Sequence, residues 1–251
     1  QPFHLGHKSV IDQALTLAKD VIILIGSANL PRSTRNSFTV AERTKMILGA
    51  YSAEDAARIH CVGLDDALYN DTKWLQYVQQ CVKSVTHDLY ANIMNVPSSW
   101  ILSGNGSDQM LGFLIQYYVQ GNKTLYTLAP DFSMYDYYVE LNHAKIEKFE
   151  TSLDGSFDVD AFISNGKDKK VDMILFSNPN NPTGHAISKL EMIQICEAFS
   201  NIPVIFDEAY MEFGNESAID LLKTYPMVFV CRTLSKAYGL AGIRCGFMIS
   251  S

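Results

Sequence analysis

The chain has 251 residues, 47% hydrophobic and 19% charged, and carries a formal net charge of −7 at pH 7. That balance suits a globular protein with material for one large core or two smaller ones, and it disfavours nonspecific nucleic-acid binding, which rewards basic surfaces. No apolar run reaches the roughly 18 residues of a membrane span, so neither nucleic acid nor membrane is expected as a partner.

Gln1-Pro2-Phe3-His4 has neither an initiator methionine nor a basic segment leading into an apolar one. It is read as a chain lacking its start, not as a signal peptide. Cys61, Cys81, Cys196, Cys231 and Cys245 form no CxxC pair and no metal spacing. Their odd number fits buried thiols in a reducing cytoplasm.

In chain order, Val10, Ile11, Ala14 and Leu17 predict a helix over residues 7–17, and Val21-Ile22-Ile23-Leu24-Ile25 a buried strand. A helix over 41–48, a strand over 58–62 and a helix over 72–85 follow. Beyond these, helices are expected over 108–119, 132–141, 189–199 and 218–224. Strands are expected over 124–128, 146–149, 172–176, 204–207, 228–232 and 246–249. Apolar runs alternating with amphipathic stretches define an α/β chain. Motif content changes near residues 85–95, which divides the chain into 1–88 and 89–251.

The first segment opens on His4-Leu5-Gly6-His7 at a helix start. Glycine permits close backbone approach, and a helix N-terminus offers N–H groups and a positive dipole end to phosphate. His4 and His7 bracket Gly6 and could donate to a triphosphate; the bland alternative is a turn with a histidine cap. With Arg35-Asn36-Ser37-Phe38-Thr39-Val40-Ala41-Glu42-Arg43 and Leu68-Tyr69-Asn70-Asp71, this segment resembles nucleotidyltransferases of the nicotinamide-mononucleotide adenylyltransferase type. The resemblance implies ATP, with Mg, at His4, Gly6 and His7. Trp74 would stack on a nicotinamide ring, or else belong to a helix-face core. The family's first strand and Gly-Arg-Phe do not precede Gln1, and its ISSTxxR-like segment does not follow. Adenylyl transfer is therefore not expected of the segment.

The second segment carries Gly104-Asn105-Gly106-Ser107-Asp108 between an apolar run and an amphipathic helix, a phosphate cradle by chemistry and a tight turn otherwise. Phe132 is either a stacking ring or core. Asp207 ends the apolar run Pro203-Val204-Ile205-Phe206, where a carboxylate is costly without a partner. A protonated pyridine nitrogen would be such a partner; a cap or salt bridge is the alternative. Glu208 beside it reads as structural, pointing the other way. Asn181 and Tyr210 suit a phenolic ring oxygen; the alternative for Asn181 is a turn residue in an Asn-Pro-rich loop. Lys236 lies between small and aromatic residues and offers an amine to an aldehyde. Thr233, Ser235 and Arg244 complete a phosphate grip.

The blocks GNGSD, PDFSMY, NPNNPTG, FDEAY and TLSKAYGLAGIRCGF resemble the fold-type-I aminotransferases, most closely the histidinol-phosphate aminotransferases. Gln109 departs from that pattern, which carries glutamate there. The resemblance implies a large domain with a mostly parallel sheet between helices, preceded by the partial Rossmann-like nucleotidyltransferase segment. It further implies pyridoxal 5'-phosphate, catalytic Lys236, and cofactor contacts from Gly106, Ser107, Asp108, Phe132, Asn181, Asp207, Tyr210, Thr233, Ser235 and Arg244. The activity implied is amino-group exchange between histidinol phosphate and 2-oxoglutarate or glutamate by a cytoplasmic homodimer. The family's small C-terminal domain is expected to be missing after Ser251. The alternatives are a nucleotidyltransferase joining ATP to a mononucleotide, and an inactive fusion of two enzyme fragments.

Overall fold

The structure, a computed structural model, describes residues 3–33, 36–66, 71–214 and 216–251. Gln1, Pro2, Arg35 and residues 68–70 of the stretches quoted above lie outside the described residues. The chain forms two compact units, Gln1–Leu89 and Tyr90–Ser251.

In the first unit α1 (Leu5–Leu17) leads into β1 (Val21–Ile25), which pairs in parallel with β2 (Ile59–Gly63). Between the strands lie α2 (Val40–Leu48) and the short α3 (Ala53–Ala57), a helix the sequence pattern did not predict. Thr39 and Glu42 close a capping box at the start of α2, and Ser52 caps α3. The core is small: Ile11, Ile25, Ile47 and Ile59, with partly buried neighbours. The long α4 (Asp71–Met94) runs nine residues past its predicted end.

The second unit is organised by a seven-stranded sheet in the order β3-β9-β8-β7-β6-β4-β5. Its strands are β3 (Ile101–Asn105), β4 (Thr124–Ala129), β5 (Lys145–Glu150), β6 (Met173–Ser177), β7 (Val204–Asp207), β8 (Val228–Thr233) and β9 (Cys245–Ile249). All pairings are parallel except those of β9, which runs against both β3 and β8. Every residue of β6 and β7 is buried, which is why both read as unbroken apolar runs. The period-two geometry of a strand divides them between two cores. Ile174 and Phe176 face one side with Phe162, Met192 and Ile195, while Met173 and Leu175 face the other with Leu111, Leu114 and Val139.

These cores are closed by α5 (Ser107–Tyr118) and α6 (Met134–Leu141) on one face, and by α7 (Val159–Lys169) and α8 (Lys189–Ala198) on the other. The pattern missed α7 because Ser164, Asn165 and Gly166 weaken its helical signature. Tertiary packing overrides that weakness: a Cβ on Gly166 would lie 2.9 Å from both Phe199 and Tyr126. β3 was also missed, its few apolar residues having been read only as a lead-in to the glycine turn. The helix expected over 218–224 is a 3-10 helix, Ala218–Lys223.

Candidate active site

Parallel strands bring their carboxyl ends to one edge of a sheet, where an α/β fold places its ligands. Here Gly106 follows β3, Asp131 and Phe132 follow β4, Ser177 ends β6, Asp207 ends β7 and Thr233 ends β8. Because β9 is antiparallel, its start lies at that same edge, and Arg244 immediately precedes it. Ser177 stands opposite Asp207, which stands opposite Cys231.

One cleft is lined by all eleven residues singled out in the second segment. From the β3–α5 turn come Gly106, Ser107 and Asp108, and from the loops beyond β4 and β6 come Phe132 and Asn181. Asp207 and Tyr210 enter from β7, Thr233, Ser235 and Lys236 from β8, and Arg244 from the approach to β9. Ser177 and Ala209 also line it, and neither was anticipated. The signal for Ser177 was available: like Asp207, it is a polar residue ending an otherwise apolar strand.

The cradle for an anion is built by backbone. Gly106 sits at φ 83°, ψ 166°, a conformation reserved for glycine, and a Cβ there would lie 2.8 Å from an Arg244 guanidinium nitrogen. Gly246 is equally constrained, since a Cβ on it would come within 2.2 Å of the Ser107 nitrogen. With glycine as its cap, α5 has no side chain closing its first turn. Gln109 accepts the Asn105 N–H at 2.8 Å, so the departure at this position is absorbed locally. Arg244 Nη2 donates to the Asn105 carbonyl at 3.2 Å and lies 3.6 Å from Asp108. The Thr233 hydroxyl accepts the Ser235 N–H at 3.2 Å, which folds the loop toward Lys236. The Lys236 ammonium lies 5.3 Å from the centroid of the Tyr210 ring.

Asp207 is 3% exposed. Burial pushes its carboxyl up to about 6, against the opposing pull of the Tyr135 hydroxyl, which donates at 2.9 Å, and of the Ala209 N–H. Among the described residues it has no ion-pair partner, whereas the adjacent Glu208 is fully buried against Arg232 at 2.7 Å. Glu208 also accepts from Ser217 and the Ala218 N–H, so it braces the chain after β7 on the far side. The cleft thus holds an unpaired buried carboxylate, a cationic and amide-lined cradle, an aromatic ring and an amine. That donor set fits a flat cationic heterocycle bearing a phosphate and an aldehyde.

The first unit gathers its candidates less completely. His4 Nδ1 caps α1 by accepting the Gly6 N–H at 3.2 Å, and its ring stacks on His7 at 3.8 Å. His7, its pKa lowered by burial and by His4, lines an apolar cleft with Ile11, Ile23, Ile25 and Arg43. Trp74 is 45% exposed, which removes the alternative of a core residue, and it lines neither this cleft nor that of the second unit. Among the described residues, no group of three or more His, Cys, Asp or Glu is placed to hold a metal, and no helix is long and apolar enough to cross a membrane.

Comparison with known proteins gives two family matches. The family described as aminotransferase class I and II matches residues 60–251, and the one described as cytidylyltransferase-like matches residues 1–100. The histidinol-phosphate aminotransferase of Clostridium novyi (strain NT) is 40% identical over 162 residues, 64% of this chain and 45% of that protein. That of Chlorobaculum tepidum is 40% identical over 163 residues, 64% and 47% of the two chains. The chain spans about half the length of these curated relatives. Among solved structures, histidinol-phosphate aminotransferase from Sinorhizobium meliloti in complex with pyridoxal-5'-phosphate superposes with a TM-score of 0.61 at 20% identity, over 88% of this chain and 63% of that one, a likeness of fold. With its family match extending over most of its length, the chain belongs to the aminotransferase class I and II family.

Proposed function

We propose that the second unit binds pyridoxal 5'-phosphate and serves transamination of the histidinol-phosphate type, with 2-oxoglutarate or glutamate as the second amino partner. The observation that carries this reading is the convergence of Lys236, Asp207, Asn181, Tyr210 and Arg244 on one cleft. The two relatives at 40% identity supply the substrate class.

When bound, the cofactor supplies an electron sink for the bond changes at the substrate's α-carbon. The chain's own residues do the rest. Gly106, Ser107, Thr233, Ser235 and Arg244 hold the phosphate, and Phe132 lies against the ring. Asp207 keeps the ring nitrogen protonated, a task suited to a carboxylate whose burial rewards a cationic partner. Asn181 and Tyr210 donate to the ring oxygen. Lys236 would hold the aldehyde through its amine and, once freed, would carry a proton at Nζ to and from the substrate's α-carbon. The test is a half-reaction: histidinol phosphate added to the loaded chain changes the cofactor's absorption, and 2-oxoglutarate restores it while forming glutamate. A loaded chain whose spectrum ignores both compounds rejects the substrate assignment.

A second reading is nucleotidyl transfer by the first unit, favoured by the cytidylyltransferase-like match and by His4, Gly6 and His7 at the start of α1. ATP-dependent pyrophosphate release lost in His7→Ala would support it. On either reading the chain joins two enzyme-like segments as a chimera. Self-association as a homodimer is favoured by exposed Phe113, Tyr117 and Tyr137 on α5 and α6, and sedimentation measures it. Five free cysteines suit the cytoplasm.

A further inference from the structure

Asp131 stands one residue before Phe132 and does not itself line the cleft. Its carboxylate accepts the Phe132 N–H at 2.8 Å, the Ser177 N–H at 3.2 Å and the Thr127 hydroxyl at 3.3 Å, and it also accepts the Ser177 hydroxyl. Four donors match the roughly four lone-pair positions of a carboxylate, a number that a serine or threonine hydroxyl at this position could not supply. The Ser177 oxygen in turn accepts the Asn181 N–H at 2.8 Å. Asn180 joins the same two loops, donating to the Pro130 carbonyl at 3.2 Å while its own carbonyl oxygen accepts from Thr183.

The pairing is costly to keep. Burial pushes the Asp131 carboxyl up to about 7 although several donors pull it down, and the nearby Asp207 carboxylate adds to the rise. Its bonds go to two walls of the cleft at once: directly to the backbone of Phe132, and through one hydroxyl to Asn181. Asn181 itself sits in a loop of irregular backbone, so its side-chain direction depends on what fixes its main chain.

We propose that Asp131 and Ser177 form a positioning pair that fixes Asn181 so that its amide meets the ring oxygen of the bound cofactor. The inference rests on the cofactor reading given above. The pair acts through Asn181 and makes no bond to the reacting atoms.

The experiment titrates the full chain with pyridoxal 5'-phosphate, reading the dissociation constant and the position of the bound-cofactor absorption band. The wild-type titration comes first: no band there defeats the cofactor reading, independently of this inference. Given a wild-type band, Ser177→Ala is expected to weaken binding about tenfold, the scale of one lost hydrogen bond, and to move the band as the ring oxygen loses its donor. Ser177→Thr, which keeps the hydroxyl, is expected to stay within about threefold of wild type. The deciding comparison is a double-mutant cycle: if Ser177 acts through Asn181, Ser177→Ala adds less than about twofold in an Asn181→Ala background. Additive losses would mean that Ser177 touches the cofactor directly, and would overturn the proposal, as would a Ser177→Ala titration and band matching wild type. Should Ser177→Ala fail to fold by thermal melt, Asp131→Asn takes its place; because Asp131 also holds the Phe132 N–H, a combined loss smaller than the sum of the single losses supports the proposal, and a fully additive one overturns it.

Discussion

In the second unit the candidate side chains gather at the carboxyl edge of a sheet whose central strands β6 and β7 are buried along their whole length and packed on both faces. In the first unit the candidate histidines stand at the start of a helix, in a unit with a two-stranded sheet and a core of four buried isoleucines. Both present residues with the right chemistry for a phosphate-bearing ligand. What separates them is how many independent contacts fix each group: Asp207 is held by a strand, a tyrosine hydroxyl and a backbone amide, while His4 is held by one hydrogen bond and a ring contact. Residue type alone does not make a site; the surrounding packing that prevents alternatives does.

That contrast can be broken by perturbing each unit separately, with Trp74 reporting on the first and Trp100 on the second in single-tryptophan variants. The largest effect is expected from Glu208→Ala. It strips buried Arg232 of its nearest carboxylate, leaving only the longer ion pair with Glu212 at 3.4 Å, and should cost about 3–5 kcal/mol in denaturant unfolding seen by Trp100. Phe162→Ala, at a side chain 0% exposed and packed on Tyr126, Phe157 and Phe176, should cost the Trp100 transition about 3–5 kcal/mol. If either substitution moved only the Trp74 transition, the division of the chain into separately organised units would fail.

Much of this second unit was legible beforehand because its strands are apolar runs of ordinary length, broken by glycine and proline turns. Of the eleven candidate residues, Asp207 and Thr233 were legible as polar residues ending apolar strands, and Gly106, Ser107 and Asp108 as a glycine turn opening a helix; the loop residues Asn181, Tyr210, Ser235, Lys236 and Arg244 were legible only through the motif blocks that carry the resemblance. Tyr135 and Asp131 were not: their roles come from pairing across 72 and 46 residues, with Asp207 and Ser177, which no local spacing encodes. The helix α7 escaped because its glycine weakens the local signal and is explained only by the rings it packs against. In the first unit the spacing of α1 was clear, but the role of His4 as its own helix cap left two readings that the sequence alone could not separate.

A sharper comparison uses pH. Asp207 titrates near 3.8 when unfolded and about 6 when folded, so the folded state holds its proton more tightly. Its contribution is neutral below pH 4, turns unfavourable as pH rises from about 4 to about 6, and is constant above that, a loss of about 3 kcal/mol in total. Unfolding of the cofactor-free chain across pH 4–7 should show a slope at Trp100 to which Asp207 and Asp131 both contribute, and Asp207→Asn should reduce it by the Asp207 share. A slope unchanged by Asp207→Asn would mean that burial of this carboxyl is not what shapes the site. Gly106→Ala should weaken cofactor binding by about tenfold, since it forces a side chain into a glycine-only backbone conformation beside Arg244. The smallest effect is expected at His4→Ala, about 1 kcal/mol on the Trp74 transition from a lost helix cap, with cofactor binding untouched.

The most direct test of the account is to add pyridoxal 5'-phosphate to the folded chain, reduce with borohydride, digest, and find the labelled peptide by mass. The account predicts one label, on Lys236, absent from Lys236→Ala and much diminished in Asp207→Ala. A folded chain that takes no label, or takes it on lysines outside the cleft to the same extent, would contradict it.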